Sequence, residues 1–286
     1  MGDYEQKTDI VVVKLTPNGD VSWSKVLDSG DSYDIASSVF EGSDGSVYIG
    51  GFGWNHYPWL IKLSSQGDLL WNCTFIFYGY GSGIYAINET QDHTIVTTTW
   101  EGTIYRFDPN GTRLNDGYHT GIDVPSIESM PDGGFRVIGN TIATFDRNGT
   151  FTGNISATST TIQLTANLTP AVTQTPSIND SSNGTGAENP ILKNASSVVT
   201  RTRDGGYFTS GLGRNGSYTV WVPGRVPEGA GMAVKLNPDG TIAWEKQLLK
   251  IKISNIKRVI QTHDGGYVVV GEYDRAFDTV FDKMFG

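Results

Sequence analysis

Asp34 and Asp123 each stand near the upper end of a segment that reads as an innermost strand, and such carboxylates are what glycoside hydrolysis draws on. One carboxyl would act as acid and the other as nucleophile or base. The remaining repeats of the chain offer no counterpart at these positions, so a secreted carbohydrate-active enzyme is the alternative reading and a non-enzymatic protein the leading one. Asp28, Asp31 and Asp34, in DSGDSYD, supply hard oxygens that suit calcium, but their spacing lacks the alternate-position ladder of a calcium loop. His56, His93, His119 and His263 show no metal-ligand spacing, so no metal is expected. No basic cluster is present to hold the carboxylates of a quinone-type group, and no cofactor is expected. Cys73 is the only cysteine, which excludes an internal disulfide and reads as a small buried hydrophobe.

A second kind of chemistry is carried by aromatic side chains next to polar ones. Trp54, His56, Tyr57 and Trp59 fall in GFGWNHYPWL, Trp100 in TTWEG, and Tyr218 with Trp221 in NGSYTVWVPG. Flat rings bury large areas at low entropy cost, which suits a sugar ring or another protein's surface. Trp54, His56, Tyr57, Trp100, Tyr218 and Trp221 are therefore the expected ligand contacts. Trp59 leads into a strand and is expected in the core.

The elements that must position these residues are repeats. SDGSVYIGG, QDHTIVTTT, PDGGFRVIG, RDGGYFTSG and HDGGYVVVG are five copies of a turn followed by a short apolar strand, and each is preceded by a β-branched segment. A second turn recurs five times between them, in VVVKLTPNGDVSW, WLIKLSSQGDLLW, TIYRFDPNGTRLN, TIATFDRNGTFTG and MAVKLNPDGTIAW. Asp-Gly and Asn-Gly admit the positive φ of a tight hairpin, so each unit is two hairpins with strands a, b, c and d. The D-G-G aspartates need no role beyond forming the turn. Trp23, Trp71 and Trp244 fall at one position of strand d and read as wedges between sheets.

Such units predict an all-β fold, a five-bladed β-propeller of four-stranded antiparallel blades. Strands c and d come first in the chain and strands a and b last, so the final blade is expected to be closed by N- and C-terminal strands. The domain is expected to span 1–286, with a Ser/Thr/Asn-rich insertion at 155–193. The stretch 273–286 resembles the first strand c and is expected to be an extra strand or an assembly tail. Length variation falls in the b–c and d–a connections, which places binding at that end of the blades.

The units D-G-G-Y-x-V-x-G and K-L-x-x-x-G-x-x-x-W resemble a family of secreted bacterial and archaeal cell-surface β-propeller repeats, over about 230 residues of the chain. Arg106-Phe107 and Thr144-Phe145 replace Lys-Leu in units two and three, and Asn115 and Gly153 replace the tryptophan, so looser packing is expected there. The resemblance implies a surface-exposed or extracellular protein with a binding or structural role.

A net charge of −9, with no run of Lys or Arg, argues against nucleic acid and anionic membrane as partners. No stretch is apolar for long enough to cross a membrane as a helix, and Met1-Gly2-Asp3 does not begin a signal peptide, which is expected to have been removed. Ten Asn-X-Ser/Thr sites occur, where chance would give about three or four. Asn110, Asn148, Asn154, Asn167, Asn179, Asn183, Asn194 and Asn215 are the expected glycan carriers. Asn72 and Asn88 lie in or beside strands and are weaker. The sequence thus points to an extracellular or cell-surface module that binds protein or glycan at its b–c and d–a loops, with self-assembly into a layer or filament as a further role.

Overall fold

The computed structural model describes residues 8–30, 33–53, 57–75, 83–122, 126–139, 141–156, 196–210, 231–248, 251, 253 and 255–275. All regular structure among them is β. The chain begins with β1 (Thr8–Leu15) and β2 (Val21–Leu27). Blade 1 follows as β3 (Ile35–Glu41), β4 (Val47–Gly53), β5 (Tyr57–Leu63) and β6 (Leu69–Thr74), and blade 2 as β7 (Ile84–Glu89), β8 (Ile95–Thr99), β9 (Thr103–Phe107) and β10 (Tyr118–His119). Blade 3 is β11 (Ser126–Ser129), β12 (Phe135–Ile138), β13 (Thr141–Phe145) and β14 (Phe151–Ser156). Blade 4 is β15 (Ser196–Arg201), β16 (Tyr207–Ser210), β17 (Met232–Leu236) and β18 (Ile242–Gln247). The last two strands, β19 (Asn255–Gln261) and β20 (Tyr267–Asp274), pair with the first two in the order β19-β20-β1-β2 to make blade 5. Five four-stranded antiparallel sheets are the blades of a five-bladed β-propeller, and one is closed by both ends of the chain as the repeat phase requires.

Blades 4 and 5 belong to one compact unit, residues 1–28 with 173–286, and blades 1 to 3 to a second, residues 29–172. In the first, Val11, Val13, Leu15, Phe208, Tyr267 and Val269 form a buried cluster against Trp244. In the second, Tyr48, Leu60, Ile84, Ile95, Tyr105 and Phe107 pack against Trp71, and Val96, Ile104, Phe135, Val137 and Phe145 form a further cluster. All eight residues of β1 are buried, since it is an inner strand covered on both faces, which is why it reads as a continuous apolar run rather than an alternating one. The outer strands β2, β6 and β18 are mostly exposed.

All ten hairpins that close strands a to b and c to d use one turn. In blade 5, Gly19 N donates to Thr16 O and Thr16 N to Asp20 O; Gly265 N donates to Thr262 O and Thr262 N to Gly266 O. The fourth residue of the turn is left-handed, with φ of +81° at Gly19 and +83° at Gly265, a conformation that costs a side-chain-bearing residue about 1–2 kcal/mol. His93 is the single exception among the described residues, at φ 63°. Its Nδ1 lies 2.7 Å from Glu89 Oε1 and 3.1 Å from Ser43 Oγ, contacts that a glycine would not make.

The turn aspartate has a second role beyond the turn formation expected of it. Asp264 Oδ1 accepts from Gly266 N at 2.9 Å, as a turn former should, but it also accepts from the buried Lys14 at 2.9 Å. Lys62 and Lys235 repeat this pairing with Asp44 and Asp204, at 3.2 and 2.8 Å. The lysine of each Lys-Leu pair is thus a buried cation satisfied by the aspartate of the a–b turn in its own blade, a geometry that ties strand c to that turn.

Blades adjoin through strand d. Trp71 Nε1 donates to Pro109 O at 3.0 Å, and its ring lies where a Cβ on Gly111 would come within 2.8 Å. Trp244 does the same to Pro17 O and Gly19, at 3.0 and 2.8 Å. Where blade 2 carries Asn115 in place of tryptophan, the looser packing expected from sequence does not follow. Arg106 Nη2 donates to Arg147 O at 2.6 Å and Nη1 to Asn148 O, and the side chain lies 2.7 Å from the Cβ position of Gly149. A guanidinium therefore occupies the place of the indole. Asn115 meanwhile pairs with the backbone of β9, accepting from Arg106 N at 2.8 Å and donating to Ile104 O at 3.2 Å, which completes a strand d only two residues long.

Two expectations change in extent. Tyr273 and Asp274 are not the start of an extra strand: they pair with Asp9 and Thr8 as the end of β20, so among the described residues β1 takes the side of β20 opposite β19, and Tyr273 is buried. Arg275 then donates to Asp9 Oδ2 at 2.8 Å and Oδ1 at 2.6 Å and to Asp28 at 2.5 Å, holding the end of β20 against β1. Ile155 and Ser156, expected in the insertion, belong to β14. The rest of the insertion and of the tail lies outside the described residues.

Two predictions follow from these contacts. Bonds from Lys235 and then Thr202 hold Asp204 down at about 2, and at Asp264 burial opposes ionisation but Lys14, Thr262 and the Gly266 N–H outweigh it, again to about 2. Both folded values lie below the ordinary 3.8, so this stabilisation is complete above about pH 4 and is lost as pH falls toward about 2. A Lys14→Met/Lys235→Met protein should be less stable than wild type at neutral pH, with the gap closing between about pH 4 and about pH 2 in urea titrations. Arg106→Lys should cost about 1–2 kcal/mol in the same measurement, because an ammonium cannot bond both turn carbonyls in a fork.

Candidate functional site

At the b–c and d–a end of blades 1 and 2, aromatic rings gather within one unit. In blade 2 the b–c connection is a tight turn rather than a loop: Gly102 N donates to Thr99 O at 3.0 Å and Thr103 N to Thr99 Oγ1 at 3.2 Å. Trp100 and Glu101 form its tip. The turn is fixed from strand d, since Thr120 donates to Gly102 O through both its backbone N, at 3.0 Å, and its Oγ1, at 2.8 Å. Trp100 is 52% exposed although it is the largest apolar side chain there, and Tyr85 braces it edge-on with ring centres 5.2 Å apart at 87°. An exposed ring held by a second ring at the tip of a rigid turn presents an apolar face with little freedom left to lose on binding.

Blade 1 adds a second pair. Tyr33 stacks on Phe52 with centres 6.5 Å apart and planes 17° apart, and Tyr57, half-buried, faces Gly53 across β4 and β5. Next to Tyr33 in the chain, the Asp34 carboxylate accepts from Ser29 N at 2.8 Å and from Ser29 Oγ at 2.5 Å. Asp34 is fully buried, so its carboxylate is committed to the loop and turned away from solvent. That is a structural place rather than the accessible one that an acid or nucleophile needs. Trp59 is in the core as expected, 4% exposed, with Nε1 donating to Asn72 Oδ1 at 3.2 Å.

Of the residues expected from sequence to act at this end, Tyr57 and Trp100 are placed here. Trp54, His56, Asp123, Tyr218, Trp221 and Asp31 lie outside the described residues. Asp28 belongs to the other unit, where it is an exposed partner of Arg275. Tyr33, Phe52 and Tyr85 were missed: each stands in or beside a strand whose sequence gives no sign of which ring faces the core. His119 Nδ1 lies 3.3 Å from Thr103 Oγ1, its cross-strand partner in β9, a contact without metal geometry. Burial raises the Cys73 thiol to about 11, so at neutral pH it is an inert, protonated side chain.

No protein-family model matches the chain, and no curated protein is similar to it. Solved structures are similar at low identity. A protein of unknown function from Bacteroides caccae is 11% identical, with 90% of this chain and 77% of that one covered and a TM-score of 0.40. Virginiamycin B lyase from Staphylococcus aureus is 13% identical, with 91% and 87% covered and a TM-score of 0.41. BamB from Moraxella catarrhalis is 12% identical, with 88% of this chain and 64% of that one covered and a TM-score of 0.35. No described helix is long and apolar enough to cross a membrane.

Proposed function

We propose that this chain is a non-enzymatic, extracellular β-propeller that binds a neutral glycan at the b–c and d–a end of blades 1 and 2. The observation that supports this reading best is Trp100, a 52% exposed indole on a turn fixed from two sides and braced by Tyr85. A core residue would not be set at a turn tip, and a solvated loop would not hold it so firmly. The face of a pyranose ring matches such a platform, and the net charge of −9 weighs against polyanionic sugars. Tyr33 and Phe52 offer a second ring pair in the adjoining blade for an extended chain. The excess of glycosylation signals agrees with an exterior location.

The test is binding of the intact protein to a panel of neutral oligosaccharides and polysaccharides. Trp100→Ala should weaken binding at least about tenfold, the loss of one aromatic anchor, with no change in melting temperature because the indole supports no core. Tyr85→Ala should weaken it less, through lost bracing. Wild type that binds no neutral glycan, or a Trp100→Ala variant that binds as tightly as wild type, would overturn the reading.

A further inference from the structure

The glycosylation signals look alike in sequence but occupy different environments. Asn110 and Asn148 stand at the same position of the c–d turn in blades 2 and 3, and Asn154 lies on the outer strand β14; all three are exposed. In each turn an aspartate already satisfies the backbone: Asp108 Oδ1 accepts from Asn110 N and Thr112 N at 3.0 and 2.7 Å, and Asp146 Oδ1 from Asn148 N and Thr150 N at 2.9 and 2.8 Å. The asparagine amides are therefore not needed by the turn, and they make no hydrogen bond to described residues. The turns themselves are held from the preceding blade by Trp71 and by Arg106, through backbone carbonyls that leave the side chains pointing clear.

Asn88 is the opposite case. Its Nδ2 donates to Ile127 O at 2.9 Å and its Oδ1 accepts from Ser129 Oγ at 2.9 Å, so both ends of the amide join blade 2 to blade 3. The hydroxyl of its signal, Thr90 Oγ1, is buried and donates to Asp92 at 2.5 Å. An oligosaccharide on this nitrogen would break the seam between the blades.

We propose that Asn110, Asn148 and Asn154 carry N-linked oligosaccharides in the folded protein and that Asn88 does not. The donor is a lipid-pyrophosphate-linked oligosaccharide, used by an oligosaccharyltransferase. The amide Nδ2 attacks the anomeric carbon, the bond from that carbon to the pyrophosphate oxygen breaks, the lipid pyrophosphate leaves with its electron pair, and one amide proton passes to a base. No redox change occurs. Asn110 and Asn148 lie on the c–d turns of blades 2 and 3, at the opposite end of the strands from the Trp100 turn, and Asn154 lies partway along β14 opposite Ala143, so sugars on the two turns leave the proposed ligand surface bare. Asn148 and Asn154 also flank an exposed apolar pair, since Phe151, 41% exposed, lies between them in the chain and stacks on Tyr118, 40% exposed. Carbohydrate beside these rings shields an area that would otherwise favour association.

Intact-glycopeptide mass spectrometry tests this on the folded protein secreted by a host whose own exported proteins are N-glycosylated. Glycopeptides should be found at Asn110, Asn148 and Asn154 and none at Asn88. Thr150→Ala should remove the glycan at Asn148 alone, without a change in melting temperature. Glycan at Asn88, or bare asparagine at any of the other three sites, would overturn the proposal. The result is independent of whether the protein binds a neutral glycan.

Discussion

Trp244 lies over Gly19 and Trp71 over Gly111, each with its indole N–H on the carbonyl two residues ahead of the glycine. The constraint acts in both directions. A left-handed glycine lets the turn close in three residues, and the missing Cβ leaves the space that the ring of the preceding blade fills. A single sheet of four short strands has two faces to bury and is too small to do so alone, so the unit of stability is the pair of adjoining blades rather than the blade. Arg106 shows that the requirement is for a flat donor at this place and not for tryptophan as such. Its planar fork bonds two carbonyls of the next turn where the indole bonds one.

With both hairpin turns of a blade fixed by such contacts and by the Lys-Asp pairs, that end of the strands has little freedom to vary. The b–c and d–a connections are under no such demand. In blade 2 that freedom is used for a tight turn with an exposed indole at its tip, and in blade 1 for a loop braced by a buried aspartate next to the stacked Tyr33. Ligand contact and glycan attachment at the c–d turns can then occupy opposite ends of the same strands without competing.

Much of the fold was legible because its turns are written in residues with few alternatives. Asp-Gly or Asn-Gly at eight of the ten turns set the hairpins, with Gln66-Gly67 and Asp92-His93 at the other two, and the order of the motifs required the two chain ends to share a blade. The position of Trp71 and Trp244 four residues after a turn glycine marked them as wedges. The contacts that fill gaps were not legible. Arg106 looked like a lost lysine and Asn115 like a lost tryptophan, because sequence does not show that one side chain can answer for both. Asp34 looked available because nothing local reveals that Ser29 consumes its carboxylate. Tyr85 and Tyr33 carry no signal of their own, since an aromatic near a strand end reads equally as core. Asn88 and Asn110 share one motif; a place in or beside a strand marked Asn88 as the weaker, but its bonds to Ile127 and Ser129 had no signal in the sequence.

Blade 5 contains its own control for the central claim. Gly19 and Gly265 have nearly the same φ, +81° and +83°, but a Cβ at Gly19 would come within 2.8 Å of the Trp244 ring, whereas at Gly265 the nearest atom, on Pro17, is 3.6 Å away. Urea unfolding of Gly19→Ala and Gly265→Ala compares the backbone cost alone with that cost plus displacement of the ring. If the indole on the turn holds adjoining blades together, Gly265→Ala should lose about 1–2 kcal/mol and Gly19→Ala clearly more. Equal losses at the two glycines would contradict the account.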